Sequence, residues 1–116
     1  MKKKNAIIIC EYSEQIEKDI QSSKFPEHLF YLVFEFSFNE FINTSDIPIA
    51  PQDWIIVDLN SLNKNPDGLV GKLSMYPLNK KCYISTDLPQ LAYYTRNPQE
   101  QFVSWENLVR REFFTK

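Results

Sequence analysis

Three apolar runs in this chain stop at polar residues. Ala6-Ile7-Ile8-Ile9-Cys10 stops at Glu11, Trp54-Ile55-Ile56-Val57 at Asp58, and Cys82-Tyr83-Ile84 at Ser85-Thr86. These runs are apolar at every position rather than every second one, which suits strands buried on both faces. In an open parallel sheet, ligands bind at the carboxyl ends of the strands. The order acid, acid, hydroxyl therefore makes Glu11, Asp58 and Thr86 candidates for one rim of one sheet.

Between the runs lie helix signals. Strands are predicted over residues 6–10, 28–36, 53–58, 81–85 and 102–105. Ser13 caps a helix over 14–23, with Glu14 and Glu17 near its positive end and Ile16 and Ile20 as a narrow apolar stripe. Ser37-Phe38-Asn39-Glu40 reads as a capping box that opens a short helix. Pro48 and Pro51 make residues 44–52 a loop, and a polar loop follows over 59–65. Asn65 caps a helix that starts at Pro66 and turns Leu69, Val70 and Leu73 inward, weakened by Gly68 and Gly71 and ended by Pro77. Thr86 or Asp87 caps the next helix, with Pro89 near its start and Pro98 beyond its end. A closing helix covers 106–114. Strand followed by helix, five times over, predicts an α/β chain with a parallel sheet covered on both faces.

At 116 residues the chain is a single domain, 1–116, with room for a real core. With two glycines in all, and no Gly-x-Gly-x-x-Gly or Walker pattern, it has no glycine-lined nucleotide loop. A formal charge of −2 gives no global attraction to nucleic acid or anionic lipid. Cys10 and Cys82 fall inside strand-like runs and read as buried free thiols. The single histidine, His28, has no partner nucleophile and reads as structural or surface. Met1-Lys2-Lys3-Lys4 resembles the start of a signal peptide, but the apolar stretch after it ends at Cys10. No run approaches the roughly 20 apolar residues of a membrane span. The expectation is a cytoplasmic protein with no nucleic-acid or membrane partner. Asn43-Thr44-Ser45 matches a glycosylation acceptor, which matters only in a secreted chain.

Five strand–helix units with an acid after the first strand, an acid after the third and a hydroxyl after the fourth resemble the receiver domain of two-component response regulators. The resemblance implies a flavodoxin-like three-layer sandwich with a five-stranded parallel sheet of order 2-1-3-4-5. It implies that Asp58 stands at the phosphoacceptor position, Glu11 in the magnesium-binding acidic pair, and Thr86 or Ser85 at the switch hydroxyl. Tyr12 takes the place of the second acid or adjoins it. The family's lysine and proline after the fifth strand are replaced by Ser104-Trp105-Glu106. Losing an acid weakens magnesium binding, losing the lysine removes a charge facing the phosphoryl oxygens, and Glu106 repels them. At most a weak magnesium site at Glu11 and Asp58 is implied, and no cofactor.

The reading is thus a non-enzymatic signal-transduction domain, a pseudo-receiver acting through protein–protein interaction. One alternative is a working receiver phosphorylated on Asp58. Another is a small α/β ligand-binding domain or enzyme at the strand edge. The acids at strand ends also suit plain caps and turns, and Thr86 a plain helix cap.

Aromatic and basic residues supply the interaction face. Tyr93, Tyr94, Trp105, Arg110 and Arg111 fall in the fourth helix, the fifth strand and the last helix, and such residue types are enriched in interface hot spots. Consecutive tyrosines on a helix cannot both point inward. The expected partner is a protein, or a second copy in a homodimer; the competing role for these rings, and for Phe113-Phe114, is the core. The aromatic run from Phe30 to Phe36 suggests base stacking on a sheet or, as preferred here, a strand packed on both faces.

Overall fold

The structure, a computed structural model, describes residues 4–11, 18, 30–61 and 66–114. Ser13, Tyr12, His28, Asn65 and the predicted helix over 14–23 lie outside the described residues, apart from Lys18, which is helical and exposed. Strands β1 (Lys4–Ile9), β2 (Phe30–Phe36), β3 (Trp54–Asp58), β4 (Lys80–Ile84) and β5 (Gln101–Phe102) run parallel in the order β2-β1-β3-β4-β5. The helices are α1 (Phe38–Asn43), α2 (Leu69–Leu73), α3 (Leu88–Tyr94) and α4 (Trp105–Val109), the last continued by a π-helical turn over Arg110–Phe114. The chain is α/β with a parallel sheet, as the alternation predicts.

Both faces of the sheet are covered. Ile7, Ile9, Ile55, Val57 and Tyr83 pack against Phe38 and Phe41 of α1, Leu69 and Leu73 of α2, and Leu91 of α3. Ala6, Ile8, Ile56, Cys82, Ile84 and Phe102 pack against Trp105, Leu108 and Val109 of α4. Alternate residues of each run thus serve opposite cores, which is why no polar residue interrupts them. Fully burying each such isoleucine contributes about 1.5–3 kcal/mol relative to leaving it exposed.

The capping box forms as read. Ser37 Oγ accepts from Glu40 N–H at 3.1 Å, and Glu40 Oε1 accepts from Ser37 N–H at 3.1 Å. At the opposite edge of the sheet, the Asn79 amide donates to the carbonyls of Ala50 (2.7 Å) and Asp53 (3.0 Å), tying the loop before β3 to the start of β4.

Several elements depart from the pattern. The helix predicted from Pro66 begins at Leu69, because Gly68 sits at its N-cap with φ +87°, a left-handed backbone that glycine adopts without strain. That start leaves Leu69 and Leu73 buried but turns Val70 outward, 43% exposed. The N-cap of α3 is Asp87, whose side chain accepts from Gln90 N–H, and not Thr86. The fifth strand stops at Phe102 instead of reaching residue 105. Ser104 caps α4 by accepting from Asn107 N–H, and so pulls Trp105 into the helix.

Candidate functional site

The carboxyl ends of β1, β3 and β4 meet on one rim, and the Leu59–Ser61 turn after β3 links them. Ser61 Oγ accepts from Glu11 N–H at 2.9 Å, and its hydroxyl donates to the Asp58 carbonyl at 2.7 Å. On the other side, Asn60 Oδ1 accepts from Thr86 N–H at 2.9 Å and from the Thr86 hydroxyl at 3.4 Å. Glu11, Asp58 and Thr86 are therefore gathered on one rim, bridged by Ser61 and Asn60.

The carboxylates of Glu11 and Asp58 are already engaged. Glu11 is exposed, and its Oε1 accepts from Phe38 N–H at 3.3 Å, at the first turn of α1. A carboxylate there complements the partial positive charge of the helix start. Asp58 is 1% exposed; its Oδ1 accepts from Asn60 N–H at 3.1 Å and its Oδ2 from the Trp105 indole N–H at 2.6 Å. A buried carboxylate requires donors, and charge-assisted bonds of this kind are the stronger ones. Ser85, the other candidate hydroxyl, is fully buried; it donates to Gln90 Oε1 at 2.7 Å and accepts from Asp87 N–H at 2.9 Å.

Magnesium does not fit this set. Hard cations need several oxygen ligands in octahedral array. Among the described residues no group of three or more His, Cys, Asp or Glu side chains could hold a metal ion. The Asp58 oxygens face N–H donors, and the Glu11 carboxylate is turned to α1.

Trp105 is the rim residue that sequence reasoning misplaced. Expected on an exposed interaction face, it is 3% exposed and packed under the sheet with its indole N–H on Asp58, so it is removed from that face. Asn60 and Ser61 were legible only as turn residues. Beside them, Asp58, Asn60, Thr86, Val103, Trp105 and Glu106 line a half-open cavity of about 230 Å³.

The remaining face residues divide. Tyr93 is 63% exposed and meets Tyr94 edge-on, with centroids 5.2 Å apart. Tyr94 is half-buried and stacks on Tyr83 at 5.8 Å. Arg110 is exposed and pairs with Glu106 at 2.6 Å. Arg111 lies over the Phe102 ring at 4.4 Å and donates to the carbonyls of Gln101 and Pro98. Phe113 and Phe114 lie in the π-helical turn. Cys10 and Cys82 are buried and not joined in a disulfide, as read, and burial pushes the Cys82 thiol up to about 12. No described helix is long and apolar enough to cross a membrane.

A scan against protein-family models, a search of curated proteins and a search of solved structures each found no match to this chain.

Proposed function

We propose that this chain is a degenerate receiver, with a flavodoxin-like sheet of order 2-1-3-4-5, that does not take a phosphoryl group. It acts as a non-enzymatic signalling domain through contact with another protein. The observation that carries this reading is the hydrogen bond from Trp105 to Asp58. Phosphoryl transfer needs a carboxylate oxygen in line with the donor, and positive charge around the transferred oxygens. Here one oxygen of Asp58 faces a neutral indole N–H and the other a backbone N–H. Trp105 lies just past the strand after which the family carries its lysine, so a neutral donor replaces a cation. Glu106 lines the adjoining cavity, and its carboxylate is held by Arg110, so the residue after Trp105 supplies no cation where a phosphoryl group would enter.

A contact role rests on the outer side of α3. Leu88 and Tyr93, at the two ends of this helix, are 68% and 63% exposed and are the large hydrophobic side chains it leaves to solvent. Incubation with acetyl phosphate and magnesium, followed by intact-mass measurement, tests the reading. The expected result is an unchanged mass. A single phosphoryl adduct that is absent in Asp58→Asn would overturn it in favour of a working receiver.

A further inference from the structure

Away from the rim, on the face covered by α1 to α3, a second cleft opens over β4. Two short helices leave it: α2 has five residues and α3 seven, and neither roofs the strand completely. Leu73, Tyr83 and Tyr94 form apolar and aromatic walls, with half-exposed Val70 at the lip. Lys81 and Glu100 line the same cleft. A lysine inside a strand covered on both faces departs from the apolar rule for such strands. The Lys81 ammonium has three donors, and the Tyr76 carbonyl takes one at 2.5 Å. Glu100 keeps a carboxylate in the cleft while one of its oxygens accepts from the Thr95 hydroxyl at 2.5 Å. Burial lowers the Lys81 pKa, and the charge of Glu100 works the other way.

We propose that this cleft binds a single-ring aromatic zwitterion, that is, an aromatic α-amino acid. The cleft is open to solvent and measures about 230 Å³, which leaves room for one aromatic ring, for which roughly 150 Å³ suffices. Shape and chemistry select an aromatic, because Tyr83, Tyr94 and Tyr93 already form a stacked and edge-on series that another ring extends. Charge selects a zwitterion. A ligand carboxylate meets the Lys81 ammonium, and a ligand ammonium meets Glu100. A simple aromatic acid would leave Glu100 opposed, and a simple aromatic amine would leave Lys81 opposed.

The probe is L-phenylalanine, titrated into the full chain and followed by amide chemical shifts in ¹H–¹⁵N spectra. Saturable shifts are expected at Val70, Leu73, Lys81 and Tyr83. Lys81→Met and Glu100→Gln should each weaken binding at least tenfold, as should replacing the ligand by phenylacetate or by phenethylamine. Glu100→Gln preserves an acceptor for Thr95, so it decides the matter even if Lys81→Met fails to fold. Absence of saturable shifts at these amides overturns the proposal. So does wild-type affinity in Glu100→Gln, or equal affinity for phenylacetate.

Discussion

Trp105 and Asp58, 47 positions apart in sequence, meet through a 2.6 Å hydrogen bond in the buried layer beneath β3. The bond ties the start of α4 to the end of the central strand, and it holds a carboxylate in a place that water barely reaches.

Replacing the indole by a ring without a donor should expose that dependence. Trp105→Phe keeps an apolar ring but removes the N–H. Loss of a donor to a buried charged acceptor costs about 1.5–3 kcal/mol. Urea unfolding should show that loss, and Asp58→Asn in the same background should recover part of it, since a neutral amide tolerates burial better than a carboxylate. Equal stability of Trp105→Phe and the wild type would show that the bond contributes nothing.

The capping box makes a smaller, local prediction. Ser37→Ala removes the acceptor for Glu40 N–H and should cost about 1 kcal/mol. For a domain of this size that lowers the melting temperature by about 4 °C, readable by circular dichroism. Glu11→Ala, which removes the acceptor for Phe38 N–H at the same helix start, should cost less, because Glu11 is exposed and its charge is screened.

Alkaline stability follows from groups held protonated by burial, among them Cys82 and Tyr94, with Tyr83 and Tyr76 shifted the same way. The Cys82 thiol is raised from 9.0 to about 12 and the Tyr94 phenol, from 10.0, also to about 12. In each case the folded form holds its proton more tightly than the unfolded form. Their contribution is complete below about pH 9, and it declines as pH rises towards about 12. Chemical unfolding at pH 8, 9.5 and 11 should show a steady loss. The Cys82 thiol should also resist alkylation at pH 8 until the chain unfolds; rapid labelling of the native protein would contradict its burial.

Two residues of α3, two positions apart, should behave oppositely. Leu91 is 2% exposed, and Leu91→Ala should cost about 2–5 kcal/mol. Tyr93 is exposed and touches Tyr94 edge-on, so Tyr93→Ala should cost about 1 kcal/mol. If α3 is the contact surface, Tyr93→Ala should abolish self-association or partner binding in sedimentation velocity while leaving the fold intact. Unchanged association would move the contact elsewhere.

How far the sequence could be read depended on the reach of each signal. Ser37 and Glu40 are three residues apart, and their reciprocal caps were readable from spacing alone. The isoleucine runs announced doubly buried strands because both faces leave the same mark. Trp105 was misread as a strand residue because Phe102-Val103-Ser104-Trp105 is locally apolar, and a serine that caps a helix looks like any serine within a strand. Its bond to Asp58, and the bridging of Glu11 and Thr86 by Ser61 and Asn60, join segments with no local signature of each other. The left-handed turn at Gly68 moved a helix start by three residues, since Pro66 is an equally good opener on paper. The rim was thus legible in its members but not in its wiring.

The sheet is lopsided at its margins. On one side it finishes in a strand of two residues, which offers an invading chain almost no backbone ladder to extend. On the other, the seven-residue β2 pairs with β1 and forms the opposite border. Among the described residues, strand addition by a binding peptide or by partly unfolded copies therefore finds its longer ladder along β2, so a charge or proline placed there guards more backbone than the same change along β5.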